Sequence, residues 1–400
     1  MNNKLVAFNS RILLFTGGTA ANSFTSELHK LTHALTYIIP ISDNGGSTGE
    51  IQKFIGGPAI GDIRSRLIRL AEDSPMKKIL EFRLPKKDEK DDKGVILDAF
   101  TVWNSLLSMK HDLWADVPTK YRHIVRAGLN TFNSALQRNI DTNKQFDYFK
   151  GSIGNFFFSG ERMHYGSLSA TIEVFKHVLG INTQTRVVPV VDLNKRLTLL
   201  AELTKGEPIL GQDNISHPSN GTDINKDDSS PINSKVRELK YIDKDHKSFT
   251  PDICEDVLPE IASAASIVYS IGSFYTSILP NLILPGVGET VSDNTGKKIF
   301  VLNGSNDRET MYIDDNGKKH SMTAIEILEE LRRGLNRYGA LSNSLSDYVT
   351  DIIYLESGGI EVDVAILEKM GIRIHAVASD EDPQYYKPEA LSESIYSISN

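Results

Sequence analysis

The feature that most constrains the fold is a glycine-rich loop that directly follows a short apolar segment near the start of the chain. The apolar run at residues 11–15 leads into Gly17-Gly18-Thr19, and a helical pattern follows this loop. In that pattern apolar side chains recur at roughly every 3.6 residues, at Phe24, Leu28, Leu31 and Leu35. A buried strand, a tight glycine turn and a helix in this order are typical of the first unit of a doubly wound α/β sheet.

Further segments repeat this order of strand, glycine loop and helix. The apolar residues 35–41 precede the loop 43–49, and the apolar residues 266–270 precede a loop that contains Gly272. Strands that alternate with helices indicate a mostly parallel sheet with helices on both faces. Later strands are predicted at residues 298–302 and 372–377.

The sequence predicts a single α/β domain over residues 1–400, with regions of different character inside it. Residues 213–234 are rich in Asn, Ser, Asp and Gly, which indicates a flexible insertion, and we assign it no ligand role. The other predicted features are a mainly helical region at residues 97–180, a β-hairpin at residues 197–210 and a loose tail at residues 379–400.

The charge composition argues against a protein that binds nucleic acid. The chain has 44 Lys and Arg residues and 52 Asp and Glu residues, a formal net charge of −8, whereas a nucleic-acid binder presents a basic face. The most apolar stretch, residues 261–287, is broken by serine, glycine and proline, so we predict no membrane segment. The single cysteine, Cys254, fits a reducing compartment, although a chain with one cysteine can also be secreted. We therefore expect a cytoplasmic protein, and the sequence leaves a homo-oligomer open.

Three glycine loops supply candidate groups for binding the phosphates of a nucleotide. Backbone N–H groups of a glycine turn can approach a phosphate, and the N-terminus of the next helix adds a favourable dipole. The same loops also fit structural turns that bind no ligand, because they match neither the GxGxxG nor the Walker motif. The candidate residues are Gly17, Gly18, Thr19, Gly45, Gly46, Ser47, Gly272, Ser273, Tyr275 and Thr276.

Charged and amide side chains near these loops are candidate ligands for a cation and for phosphate. Asp43 and Asp62 offer the hard oxygen atoms that Mg²⁺ prefers, and Arg64 offers a guanidinium group for phosphate oxygens. Asn155 is a further ligand candidate, and the three phenylalanines that follow it are expected in the core. Asp62 fits equally well as the N-cap of a helix at residues 63–72. The sequence identifies no catalytic residue.

Taken in order, these motifs resemble those of the CofD/YvcK family, which includes 2-phospho-L-lactate transferase and the bacterial gluconeogenesis factors. The resemblance implies a Rossmann-like three-layer α/β sandwich. The matching segments are GGT at residues 17–19, DNGGSTG at 43–49, PAIGDIRSRL at 58–67, GNFFFSG at 154–160, GEPILGQDNISHP at 206–218 and YSIGSFYTSILPNLILPGVGE at 269–289.

Within this family the sequence is more similar to the gluconeogenesis-factor branch. That resemblance implies a protein that binds a nucleotide diphosphate, expected to be a UDP-sugar, and regulates carbon metabolism. The transferase branch implies instead a Mg²⁺-dependent transfer of a phospholactyl group from a guanosine diphosphate-linked donor. Asn44 stands where the family has an aspartate, which favours binding over catalysis. Residues 306–310 differ from the corresponding segment of the branch, so contacts to the distal group of the ligand stay unassigned.

Overall fold

A sheet of seven parallel strands lies at the centre of the computed structural model. The structure describes residues 11–18, 20–42, 45–91, 94, 96–139, 145–149, 151–218, 230–338 and 342–400. The strands in these ranges are β1 (Ile12–Phe15), β2 (Leu35–Ile39), β3 (Arg186–Pro189), β4 (Thr198–Leu203), β5 (Ile209–Leu210), β6 (Val236–Ile242), β7 (Ser266–Tyr269), β8 (Lys297–Val301), β9 (Met311–Ile313), β10 (Lys319–Ser321), β11 (Asp351–Leu355) and β12 (Arg373–Val377).

The order of the strands in this sheet reverses between β1 and β7. The order across the sheet is β3-β2-β1-β7-β8-β11-β12, so the chain first runs outward to β3 and then returns to the other side of β1. β1 pairs in parallel with both β2 and β7. In open α/β sheets, ligands bind beyond the carboxyl ends of the strands at such a reversal. The predicted Rossmann-like sheet is confirmed, and its topology points to a site after β1 and β7.

Helices cover both faces of the sheet and complete the three layers. In the described ranges, no helix combines the length and the apolar character that crossing a membrane requires. The helices are α1 (Asn22–Leu31), α2 (Gly46–Phe54), α3 (Gly61–Leu70), α4 (Pro75–Glu81), α5 (Ala99–Leu107), α6 (Thr119–Asn139), α7 (Ile153–Tyr165), α8 (Leu168–Leu179), α9 (Gln212–Ser216), α10 (Val257–Ser263), α11 (Leu279–Leu282), α12 (Val287–Asp293), α13 (Ala324–Leu335), α14 (Leu345–Tyr348), α15 (Val364–Lys369) and α16 (Pro388–Ser399).

Helices α5 to α8 form the region that the sequence predicts to be mainly helical. Phe156, Phe157 and Phe158 on α7 are fully buried, as expected for core residues. Helices α6 and α7 approach so closely that a Cβ atom on Gly160 would overlap the carbonyl oxygen of Gly128. Glycine at this position therefore allows the two helix backbones to touch.

Smaller antiparallel sheets flank the central sheet. Strands β5, β4 and β6 form a three-stranded sheet in that order, and the β4–β5 pair is antiparallel, which confirms the predicted hairpin. Strands β9 and β10 form a separate antiparallel pair. The backbone of Ile232 connects to β9, because its N–H group donates to the carbonyl oxygen of Met311 over 2.9 Å.

The prediction of a flexible insertion at residues 213–234 is wrong for the residues of it that the structure describes. Residues 213–216 belong to α9, and Ile232 is buried. The hydroxyl groups of Thr204 and Ser234 lie 2.7 Å apart, which joins this segment to the end of β4. The polar composition reflects hydrogen bonding rather than disorder at these positions. Residues 219–229 of the predicted insertion lie outside the described residues.

The prediction of a loose tail at residues 379–400 is also wrong. Helix α16 packs against α1, and its Leu391 and Ile395 side chains are fully buried. The hydroxyl group of Ser392 donates to the carbonyl oxygen of Phe24 on α1 over 2.7 Å. Leu391 and Ile395 are four residues apart and therefore lie on one face of the helix, which gives the tail the apolar stripe that a docked helix needs.

Candidate functional site

A cavity of about 430 Å³ opens at the carboxyl ends of β1 and β7, at the reversal of the strand order. The loop after β1, the start of α2, the first turn of α3, helix α9 and the loop after β7 line it. It brings together eight of the residues that the sequence singles out, namely Gly17, Gly18, Gly45, Gly46, Asp62, Gly272, Ser273 and Thr276. Thr19, Asp43 and Asn44 lie outside the described residues.

The turn after β1 has glycines because neighbouring segments leave no room for a side chain. A Cβ atom on Gly17 would overlap the side chain of Ser277, which belongs to the π-helical turn that follows the loop after β7. A Cβ atom on Gly18 would overlap the carboxylate of Asp62, whose carbon atom would lie only 3.0 Å away. The segment after β7 and the first turn of α3 therefore pack directly against the backbone of Gly17 and Gly18. Backbone without side chains is what a ligand needs in order to approach closely.

The loop after β7 is fixed by hydrogen bonds to its backbone. Gly272 has φ = 147°, a conformation that strongly favours glycine. The side chain of Asn303 holds it from both sides, accepting from the Gly272 N–H group and donating to its carbonyl group, each over 3.0 Å. A π-helical turn, Phe274–Ile278, follows directly, and Thr276 and Ser277 on this turn face the cavity.

The carboxylate of Glu309 anchors this π-helical turn from below. Its Oε2 accepts from the backbone N–H groups of Tyr275 and Thr276, over 2.6 and 3.1 Å. Its Oε1 accepts from the hydroxyl groups of Thr276 and of Ser216 on α9. Glu309 thereby joins two segments of the cavity wall, although it is only 3% exposed itself.

Burial and, to a smaller extent, the neighbouring Asp307 carboxyl group raise the pKa of Glu309 to about 7, although the bonds from Ser216, Thr276 and Tyr275 oppose the shift. The pKa of Asp307 is also raised, mainly by burial. With a pKa of about 7, the Glu309 carboxyl group changes its protonation state near neutral pH. The charge beneath the loop after β7 therefore depends on pH in the physiological range.

Glu309→Gln is expected to make the free energy of unfolding less dependent on pH. Because the folded-state pKa of Glu309 is raised, its stabilising contribution is complete below about 4.5 and is lost as the pH rises through about 7. Glutamine stays uncharged, so wild type should lose roughly 2 kcal/mol more than the variant between pH 5 and pH 8. Urea unfolding at both pH values measures this difference. Glu368→Gln on the exposed face of α15 is the control, and parallel pH curves for wild type and Glu309→Gln would contradict the assignment.

Helices α1 and α2 begin at the cavity, and neither has a polar side chain at the preceding residue. Helix α1 follows Ala21 and helix α2 follows Gly45, and neither residue has a side chain that can accept hydrogen bonds from the first turn. By contrast, α7 and α8 begin away from the cavity and are capped by Ser152 and Ser167. The first turns of α1 and α2 place the positive ends of two helix dipoles at the cavity, which favours an anion there.

Asp62 lies inside the first turn of α3 and is not its N-cap. The helix begins at Gly61 after Ile60, so the interpretation of Asp62 as only a capping residue is wrong. Its carboxylate faces Gly18 at the cavity. Asp213 lines the same cavity from α9, and Arg83 also lines it. The described wall thus combines two acidic side chains with one guanidinium group.

A second guanidinium group is buried beneath the turn after β1. Arg66 is 1% exposed, lies 4.9 Å from the centre of the Tyr37 ring and donates to the hydroxyl groups of Thr25 and Thr16, over 2.5 and 3.4 Å. Burial lowers its pKa, and the nearby Asp62 carboxylate opposes that shift. Arg66 therefore adds positive potential below the glycine turn and partly offsets Asp62.

Four other candidate residues do not line this cavity. Arg64 donates to the Asn155 side chain over 2.9 Å, and Asn155 donates to the Ser47 hydroxyl group over 2.8 Å. These two hydrogen bonds connect α3, α7 and the first turn of α2 outside the cavity. Burial lowers the pKa of Arg64 to about 10. The side chain of Tyr275 instead lines a separate cavity of about 700 Å³ beside α13.

The sequence interpretation missed several residues of the cavity wall. Most of them belong to α9, which follows the segment GEPILG in a motif that the sequence analysis quotes but assigns no ligand role. Within the described chain, no group of three or more His, Cys, Asp and Glu side chains is placed to hold a metal ion. The missed polar residues are Arg83, Gln212, Asp213, Ser216 and His217.

The doubly wound sheet and the glycine-lined cavity at its strand reversal define an α/β protein with a candidate anion site. The chain matches the family described as 2-phospho-L-lactate transferase CofD over residues 12–381, and it therefore belongs to this family. This confirms the resemblance on which the sequence interpretation rests.

Individual relatives agree with this membership. The chain is 32% identical to an uncharacterized Saccharomyces cerevisiae protein, YNL011C, over 96% of this chain and 99% of that protein. It is 23% identical to a gluconeogenesis factor of Halalkalibacterium halodurans, over 80% of this chain and 72% of the relative. A crystal structure of a UPF0052 family member from Bacillus halodurans has the same fold, with a TM-score of 0.63 and 20% identity over 96% of this chain and 98% of that chain.

Proposed function

We propose that the cavity at the carboxyl ends of β1 and β7 binds the diphosphate group of a nucleotide. The observation that carries this proposal is the contact between the glycine turn after β1 and the π-helical turn that follows β7, where a side chain on Gly17 would overlap Ser277. Exposed glycine backbone on two sides, the hydroxyl group of Ser273 and two helix N-termini suit a phosphate group. The volume of about 430 Å³ falls in the usual range of small-molecule sites.

A UDP-sugar is the ligand that we propose, with the chain acting as a regulator of carbon metabolism. This choice rests on the similarity of the motifs to the gluconeogenesis-factor branch and on relatives that carry this name, in Halalkalibacterium halodurans and Bacillus subtilis. Groups that grip phosphates need not change them, because catalysis requires interactions that are stronger in the transition state than in the bound state.

Mg²⁺ is proposed to bind together with the nucleotide. Asp62 and Asp213 line the cavity, and a carboxylate beside a diphosphate is electrostatically unfavourable unless a cation lies between them. Mg²⁺ is commonly held by one or two carboxylates together with substrate phosphates. The carboxyl group of Asp62 is suited to this role, and Asp43, which the sequence predicts as its partner, lies outside the described residues.

A transferase like the one that names the family is the second candidate function. The observation that favours it is the presence of His217 and Asp213 in the cavity wall. Imidazole and carboxylate groups can accept or donate a proton during group transfer. Under this alternative the donor would be a guanosine diphosphate-linked phospholactate.

Titration calorimetry with a UDP-sugar and with GDP separates these functions. We expect the UDP-sugar to bind more tightly than GDP, more tightly with Mg²⁺ than without it, and without formation of product after long incubation. Tighter binding in Mg²⁺ would follow from the neutralisation of Asp62 and phosphate charges. Release of GMP from a guanosine-linked phospholactyl donor, above a control without protein, would contradict the regulator and support the transferase.

A further inference from the structure

We propose that a side cavity next to the diphosphate site binds the nucleobase, which stacks on Tyr385. This inference rests on the proposed function, because it places the remaining part of the same nucleotide. The side cavity has a volume of about 260 Å³. It lies between α1, the loops after β7 and β8, and residues 384–386, which precede α16. It shares Ala20, Ile271, Gly272 and Ser273 with the diphosphate cavity.

The two cavities adjoin each other at these shared residues. Gly272 and Ser273 line both of them, so a ligand whose phosphates contact the loop after β7 can continue into the side cavity. Gly272 has no side chain to obstruct that passage, and Asn303 fixes its backbone by two hydrogen bonds of 3.0 Å. The phosphates and the nucleoside would thus lie on opposite sides of one rigid loop.

The lining of the side cavity has the chemistry of a base-binding site. Phe24 and Leu391 are buried and provide an apolar floor, whereas the ring of Tyr385 is 64% exposed. The amide group of Gln384 can both donate to and accept from the polar edge of a base. Every nucleobase has a flat apolar face that stacks on aromatic side chains.

The diphosphate cavity is less suited to the base. Among the described residues that line it, only His217 has an aromatic ring, and the rest are mainly glycines and residues with hydroxyl or charged groups. Three aromatic residues, Phe24, Tyr385 and Tyr386, line the side cavity instead. The division of aromatic and polar groups between the two cavities matches the division of a nucleotide into base and phosphates.

The exposed ring of Tyr385 is held on a fixed turn. The Tyr385 N–H group donates to the carbonyl oxygen of Asp382 over 3.1 Å, and the Tyr385 carbonyl oxygen accepts from Asp380 over 2.8 Å. The next residue, Tyr386, is buried, and its hydroxyl group donates to the carbonyl oxygen of Leu302 over 2.5 Å. A Cβ atom on Gly304 would overlap the carbonyl oxygen of Gln384. The backbone that carries Tyr385 is thus packed against the loop after β8, and the ring extends from this fixed backbone.

Calorimetric titration of Tyr385→Ala with UDP and with inorganic pyrophosphate tests this assignment. Loss of one stacking ring should weaken UDP binding about 10-fold or more, while pyrophosphate, which has no base, should bind as it does to wild type. Tyr385→Phe keeps a stacking ring and should retain UDP affinity. Tyr165→Ala removes a similarly exposed ring, 45% exposed at the end of α7, and is the matched control.

The outcomes separate this proposal from the proposed function. If wild type binds UDP and pyrophosphate but Tyr385→Ala binds UDP equally well, the base does not stack on Tyr385 and the proposal is overturned. If Tyr385→Ala loses pyrophosphate and UDP affinity to the same extent, the ring does not act on the base and the proposal also fails. If wild type binds neither compound, the diphosphate site itself is refuted, and the base site with it.

Discussion

Gly160→Ala is expected to destabilise the protein by about 3 kcal/mol, toward the upper end of the cost of overpacking a core. The new Cβ atom would overlap the carbonyl oxygen of Gly128 on the neighbouring helix α6 and would lie 2.7 Å from its carbonyl carbon. These are backbone atoms of a 21-residue helix, so they cannot rotate away as a side chain can. Alanine favours a helix over glycine by about 1 kcal/mol, and this gain is smaller than the cost of separating α6 from α7.

Urea unfolding of Gly160→Ala and of a matched variant, Gly334→Ala, measures this effect. Gly334 is also a buried glycine in a helix, α13, but its new Cβ atom would meet the end of the Leu279 side chain at 2.5 Å. A leucine methyl group can move, so we expect the stability of Gly334→Ala to stay within about 1 kcal/mol of wild type. Equal stabilities of Gly160→Ala and wild type would show that α6 and α7 are not in backbone contact.

Gly18→Ala is expected to lower the affinity for a UDP-sugar by about 100-fold or more, which corresponds to about 2.8 kcal/mol. The added methyl group would overlap the Asp62 carboxylate, and both residues line the cavity. Either the carboxylate moves into the space of the ligand or the turn moves away from the phosphate. In both cases the geometry that the diphosphate needs is lost.

Calorimetry with the same UDP-sugar measures the loss, and Gly317→Ala is the control. Gly317 lies in the turn between β9 and β10, where a Cβ atom would meet no atom within 4 Å. Gly317 has φ = 75°, a backbone conformation that alanine adopts only with strain. Gly317→Ala therefore disturbs a glycine turn, as Gly18→Ala does, but Gly317 does not line the cavity. An affinity of Gly18→Ala within twofold of wild type would exclude the turn after β1 from the binding site.

The central part of the sheet could be predicted because β1, β2 and β7 are apolar runs that end in glycine loops. Strands β3 and β11 lack this signal. β3 has four residues and ends at Pro189, and the fully buried Asp351 begins β11. Asp351 is tolerated because Arg373 on β12 pairs with it over 2.6 Å, a contact between distant segments that local sequence patterns do not reveal.

The glycine loops of the site could be predicted, whereas the directions of the neighbouring side chains could not be judged from proximity in sequence. Asp62 and Arg64 are two residues apart on α3, so they point to opposite sides of the helix. Asp62 therefore reaches the cavity and Arg64 contacts Asn155 behind it. In the same way Thr276 faces this cavity while Tyr275 faces the cavity beside α13. The segment of α9 was missed because its polar composition resembles that of a flexible loop.

A crystal structure with a UDP-sugar and Mg²⁺ bound tests the central claim most directly. We expect electron density for the diphosphate between the turn at Gly17-Gly18 and the loop at Gly272-Ser273, with the metal ion next to Asp62. The competing location is the larger cavity of about 700 Å³ beside α13, which is lined by Tyr275, Leu279 and several arginines. An ordered nucleotide in that cavity, with no density at the glycine loops, would contradict the account.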